Sequence, residues 1–123
     1  MHAGIIGETV PQLRKRFGQE LIIYQNPPEH RFQINKTTQV WVTLDPDGTV
    51  GEITWAIWRK APSEAEIQKM LRDSSEVTWR RTGDRGKYGD ELHWIGSQNG
   101  KELFDASLFD TMRGYYMLNI TTK

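Results

Sequence analysis

Between Val40 and Trp58 the side chains sort onto two faces with period two, on either side of the turn Asp45-Pro46-Asp47-Gly48. That arrangement predicts an antiparallel hairpin. A loop from Pro46 to Thr49 sets Val42 opposite Ile53 and Val40 opposite Trp55, which makes one face of the ribbon apolar. The other face then carries Trp41, Thr43, Thr54, Ala56 and Trp58. A slip of one residue would exchange the two faces, so this register constrains the fold more than any other feature.

Two segments follow helical grammar instead. In "GETVPQLRKRFG" Thr9 is placed as N-cap, with Gln12 three residues on to close a capping box and Pro11 in the first turn. Leu13 and Phe17 share one face, Arg14, Lys15 and Arg16 fall in the last turn where the dipole favours cations, and Gly18 is expected as a left-handed C-cap. In "PSEAEIQKMLRDSS" Ser63 and Glu66 form the box, and Ile67, Met70 and Leu71 make the stripe. Setting Thr9 on Ser63 aligns Gln12 with Glu66, Leu13 with Ile67 and Phe17 with Leu71. The match fits either a duplication, with halves 7–60 and 61–123, or two independently well-built helices.

The remaining segments "LIIYQ", "HRFQIN", "VTWRR", "ELHWIGS", "KELFDAS" and "GYYMLNITT" read as short strands, with Asn99-Gly100 as a hairpin turn. The expected fold is a single α+β domain spanning 1–123. It has an antiparallel sheet with two short helices on one face, in the order α-β(3-4)-α-β(4).

Lys and Arg number 16 and so do Asp and Glu, so no global field draws the chain to nucleic acid or anionic membrane. With no cysteine there is no disulfide, thiolate metal site or cysteine nucleophile. No apolar run approaches the ~20 residues of a membrane span. His2-Ala3-Gly4 suits a small-residue cleavage site, so the expected location is periplasmic or secreted after signal removal, with the cytoplasm as the alternative.

Gly7, Thr9, Leu13, Phe17 and Gly18 follow the spacing G-x-T, three residues, apolar, three residues, apolar-G, with Ile5 and Ile6 ahead of it. This N-terminal motif resembles the opening of domains in the β-lactamase-inhibitor-protein-like class, which includes small lipoproteins of the outer-membrane β-barrel assembly machinery. The resemblance implies a short leading helix on an antiparallel sheet, sometimes in tandem, in an exported bacterial protein. The chain departs from the class in lacking both the lipidated cysteine and the disulfides. No functional residue carries over.

Three surfaces are candidates for function. Trp41 and Trp58, on the face opposite the apolar one, are large for open water and suggest contact with a protein partner; the alternatives are that both faces of the sheet are covered or that a homodimer buries them. "WRRTGDRGKYGDELHW" mixes Arg80, Arg81, Arg85, Lys87, Tyr88 and His93 with Trp79 and Trp94. That composition suits a protein hot spot or single-stranded nucleic acid, although Asp84, Asp90 and Glu91 interrupt it and disfavour the latter. The alternative is a solvated loop between Gly83 and Gly89 that joins two strands whose Trp79 and Trp94 are core. His93 with Asp90 or Glu91 could serve a small ligand-binding or hydrolytic site.

His2, His30 and His93 share no ligand spacing, and Asp45–Gly48 lacks the rest of a calcium loop, so neither metal nor cofactor is expected. The reading that follows is a non-enzymatic binding module of the bacterial cell envelope, with the His93 site and nucleic-acid binding through 79–94 as alternatives.

Overall fold

The computed structural model describes residues 4–82 and 92–123. Helix α1 (Val10–Phe17) precedes strands β1 (Ile22–Gln25), β2 (Pro28–Asn35), β3 (Thr38–Leu44) and β4 (Val50–Ile57). Helix α2 (Glu64–Ser74) precedes β5 (Thr78–Arg81), β6 (Leu92–Gln98), β7 (Lys101–Asp110) and β8 (Tyr116–Thr122). The strands form one antiparallel eight-stranded sheet in the order β1-β2-β3-β4-β8-β7-β6-β5. Two four-stranded meanders therefore meet at β4 and β8, and α2 makes the connection between them. The fold is α+β, with both helices on one face of the sheet.

The hairpin register is the expected one: Val40 pairs with Trp55 and Val42 with Ile53. The Asp45 carbonyl accepts from the Gly48 amide at 2.9 Å, the Asp45 amide donates to Thr49 at 2.7 Å, and Gly48 has φ 85°. At the second predicted turn Asn99 and Gly100 both have positive φ, 53° and 77°, as a type I′ turn requires.

The apolar face continues across the sheet. Trp55 pairs with Leu118 and Leu118 with Leu108, while Ile53 pairs with Ile120 and Ile120 with Ala106. Leu13 of α1 and Ile67, Met70 and Leu71 of α2 close over it, in one core that also holds Phe32 and Trp94. Trp94, one of the two tryptophans flanking the cationic stretch, is thus core, and Trp79 packs against that core over Gly96, where a Cβ would come within 2.9 Å of the indole.

Each helix start is capped by its own sequence. The Gln12 carboxamide oxygen accepts from the Thr9 amide at 2.8 Å, and Ser63 and Glu66 exchange reciprocal bonds of 3.0 and 3.2 Å. Gly18 departs from expectation. Its φ is 88° but its ψ is −162°, outside the left-handed helical basin and in a region open to glycine. The chain therefore leaves α1 extended, towards β1, rather than closing into a left-handed turn.

The segment before α1 ties the two halves together. Ile5 and Ile6 donate to the carbonyls of Asp73 and Ser74 at the end of α2, each at 3.0 Å, satisfying groups that the helix itself leaves open. Gly7 donates to Val50, and Val50 donates to Glu8, at the start of β4. Beneath this segment the Trp55 indole donates to Ser74 Oγ, which donates to the Met70 carbonyl, both at 2.8 Å.

Candidate functional site

Among the described residues the other face of the sheet carries no helix. Ile22, Arg31, Trp41, Thr54, Asn119, Ser107 and His93 stand in register across it from β1 to β6. Trp41 and Trp58 lie at one end of this open face, as the hairpin register predicts. His93 lies four strands from Trp41, about 19 Å at the usual strand spacing.

The tryptophan end is an aromatic and cationic cluster. Trp58 stacks on Tyr115 with centroids 4.8 Å apart and an interplanar angle of 25°. Trp41 sits against both, at 6.2 Å from Trp58 and 6.3 Å from Tyr115. From the other side the Arg31 guanidinium lies 3.7 Å over the Trp41 ring and 4.8 Å over that of Tyr24. Glu29 holds the guanidinium in place through Arg31 Nε at 3.0 Å, and Gln39 accepts from the Trp41 indole at 2.9 Å. Each aromatic pair contributes about 0.5–1.5 kcal/mol beyond burial, and a cation over a ring about 0.5–2 kcal/mol.

The two expected surface tryptophans are therefore not equivalent. Trp58 is 39% exposed, whereas Trp41 is only 9% exposed although it faces away from both α1 and α2. Its lateral neighbours Arg31, Trp58 and Tyr115 bury it. A recess of about 340 Å³ lined by Tyr24, Asn26, Pro27, Glu29 and Arg31 continues the cluster towards β1.

Along the row through Trp41 the open face turns polar. Asn119 donates to Thr54 at 2.8 Å, Ser107 and His93 follow, and Asp105 and Arg80 line the adjoining row. Of the cationic stretch, Arg80 pairs with Ile95 on this face, while Arg81 pairs with Trp94 and alternates to the other. Arg80 reaches Glu102 at 3.4 Å. Arg85, Lys87 and Tyr88 lie outside the described residues, as do Asp90 and Glu91, the carboxylates expected to orient His93.

Sequence reasoning missed Arg31, Tyr24 and Tyr115. Arg31 was open to discovery by extending the hairpin argument one strand back. The β2–β3 turn through Lys36 and Thr37 carries no glycine, however, and the register shifts between Gln33 and Asn35.

A second cluster lies on the helix side. The Glu20 side chain, 1% exposed, accepts from Arg14 Nε and Nη2 at 2.7 and 2.8 Å and meets His30 Nδ1 at 2.6 Å. The Arg14 hydrogen bonds, and then that of His30, hold the Glu20 carboxyl down to about 2 against the opposing effect of burial. Its groups face one another and tie α1 to β2, so the cluster is structural. Among the described residues no group of His, Asp and Glu is arranged to hold a metal ion. Among them, too, no helix is long and apolar enough to cross a membrane. Set against protein-family models, curated proteins and solved structures, the chain finds a match in none of the three.

Proposed function

We propose that the chain is a non-enzymatic, protein-binding domain whose contact surface is the helix-free sheet face, led by Trp58 and Tyr115. The observation that carries this reading is the stacked pair itself: a half-open indole on a tyrosine, backed by a buried tryptophan and a pinned arginine. Trp, Tyr and Arg are the residues that dominate binding energy at protein interfaces, where rigid anchors surrounded by occluding neighbours are favoured. The cluster is held together by its own contacts before any partner arrives, so little ordering entropy opposes binding.

Charge on the face favours a protein over a nucleic acid. Among the described residues Glu29, Glu52, Glu102 and Asp105 stand against Arg31, Arg80 and Lys123, and each of these cations is already paired with a carboxylate. A phosphate backbone would meet more carboxylate than cation here.

The N-terminal spacing from Gly7 to Gly18, with a helix leading each four-stranded meander, supports a tandem α-β repeat of the β-lactamase-inhibitor-protein-like kind in an exported bacterial protein. The paired boxes at Thr9–Gln12 and Ser63–Glu66 are the sequence trace of that duplication.

The test is capture from envelope extract by the wild-type chain, by the double variant Trp58→Ala/Tyr115→Ala, and by the helix-side control Lys15→Ala. The reading requires a partner held by the wild type and the control and lost by the double variant. A partner held equally by all three would refute it.

A further inference from the structure

The two edges of the sheet are built differently. β5 carries Arg80 and Arg81, both exposed, which is the usual way of keeping an edge from pairing with another chain. β1, at the other end of the strand order, has no charge from Leu21 to Gln25. Leu21, Ile22, Ile23 and Tyr24 are 52%, 45%, 40% and 46% exposed, so among the described residues an apolar strand with an unpaired backbone edge faces outwards.

We propose that this edge pairs with the β1 edge of a second copy, antiparallel, about a twofold axis at Ile23. The sequence of the strand is self-complementary in that register. Ile23 stands opposite Ile23 of the second copy on the helix side, and Ile22 opposite Tyr24 on the open side, with no like charges opposed. A twofold axis perpendicular to the sheet also keeps both open faces on the same side. Tyr24 already lies against Arg31, so the aromatic and arginine clusters of the two copies join across the seam into one surface.

The short strand sets the strength. Residues 21–25 hide a few hundred Å² per copy, below the ~800 Å² per partner of a standard interface, so the dimer is weak and dissociates on dilution.

Sedimentation velocity between about 1 µM and about 1 mM tests the proposal over the expected range of affinity. The wild type should shift from monomer to dimer across that range. Ile23→Lys, which sets two ammonium groups across the axis, should stay monomeric with an unchanged circular dichroism spectrum and melting profile. Because the chain has no cysteine, Ile23→Cys should form a covalent dimer on mild oxidation, and Lys36→Cys, in the β2–β3 turn, should not. A wild type that stays monomeric to about 1 mM would overturn the proposal and leave the edge to a strand of another protein. A dimer that survives Ile23→Lys, or equal cross-linking of the two cysteine variants, would also overturn it. Partner capture by the Ile23→Lys monomer separates this outcome from that of the sheet-face reading.

Discussion

The Arg31 guanidinium lies 3.7 Å over the ring of Trp41, on the face of the sheet opposite α1 and α2. This contact explains how a tryptophan can point away from the core and still be buried. The ring gains a planar cation that is weakly hydrated and stacks well, and the arginine gains a fixed position beside Glu29.

Arg31→Ala should uncover Trp41 and lower stability by about 1 kcal/mol. Arg31→Lys should recover only part of that, because an ammonium cannot lie flat on the ring. Tryptophan emission should shift to longer wavelength in the order wild type, Arg31→Lys, Arg31→Ala, with the urea midpoint falling in the same order.

Ser74→Ala removes the acceptor of the Trp55 indole in a position that is fully buried. A buried donor left without a partner costs about 1–3 kcal/mol. Thermal melting should show that loss. Trp55→Phe/Ser74→Ala should be less destabilised than the sum of its single variants, since the phenyl ring needs no acceptor.

Gly4 has φ 131°, and a Cβ there would sit 2.6 Å from both the Ser74 carbonyl oxygen and the Ser75 Cα. Both obstacles are backbone, so they cannot swing aside. Gly4→Ala should dislodge the Ile5–Asp73 and Ile6–Ser74 bonds and cost about 1–3 kcal/mol. Hydrogen exchange should quicken at Ile5 and Ile6.

The Glu20 carboxyl is held at about 2 from an ordinary 4.5, chiefly by its hydrogen bonds with Arg14. A carboxylate whose folded pKa is depressed stabilises the fold fully above its unfolded value. That contribution fades as pH falls from about 4.5 towards about 2. Wild type should lose stability steeply across this window. Glu20→Gln should be less stable at pH 7 by roughly 1–3 kcal/mol, the usual worth of charged hydrogen bonds, and should show a shallower slope in acid. Urea unfolding at pH 3 and pH 6 measures both.

The central hairpin is legible in the sequence because alternation and turn chemistry agree on one register. Pairing Val40 with Trp55 is enough to put Trp41 and Trp58 on the helix-free face. The helices are legible through their capping boxes, which are local. What the sequence hides is lateral. Arg31 reaches Trp41 from the neighbouring strand β2, past a glycine-free turn and a register shift. Tyr115 reaches Trp58 from an irregular segment where Met112 and Gly114 have positive φ. Neither contact leaves a periodic trace, so the burial of Trp41 is invisible in the sequence while its direction is plain. At Gly18 the positive φ is legible and the ψ is not, because the tie from Arg14 to Glu20 draws the chain on towards β1.

Oxidative footprinting of the purified chain, alone and then in its captured envelope complex, bears most directly on the open aromatic face. In the free protein Trp58 should label readily while Trp55 and Trp94 stay protected. In the complex Trp58 and Tyr115 should lose most of their reactivity, with α1 and α2 unchanged. Protection confined to the helices, with Trp58 labelled equally in both states, would contradict the account.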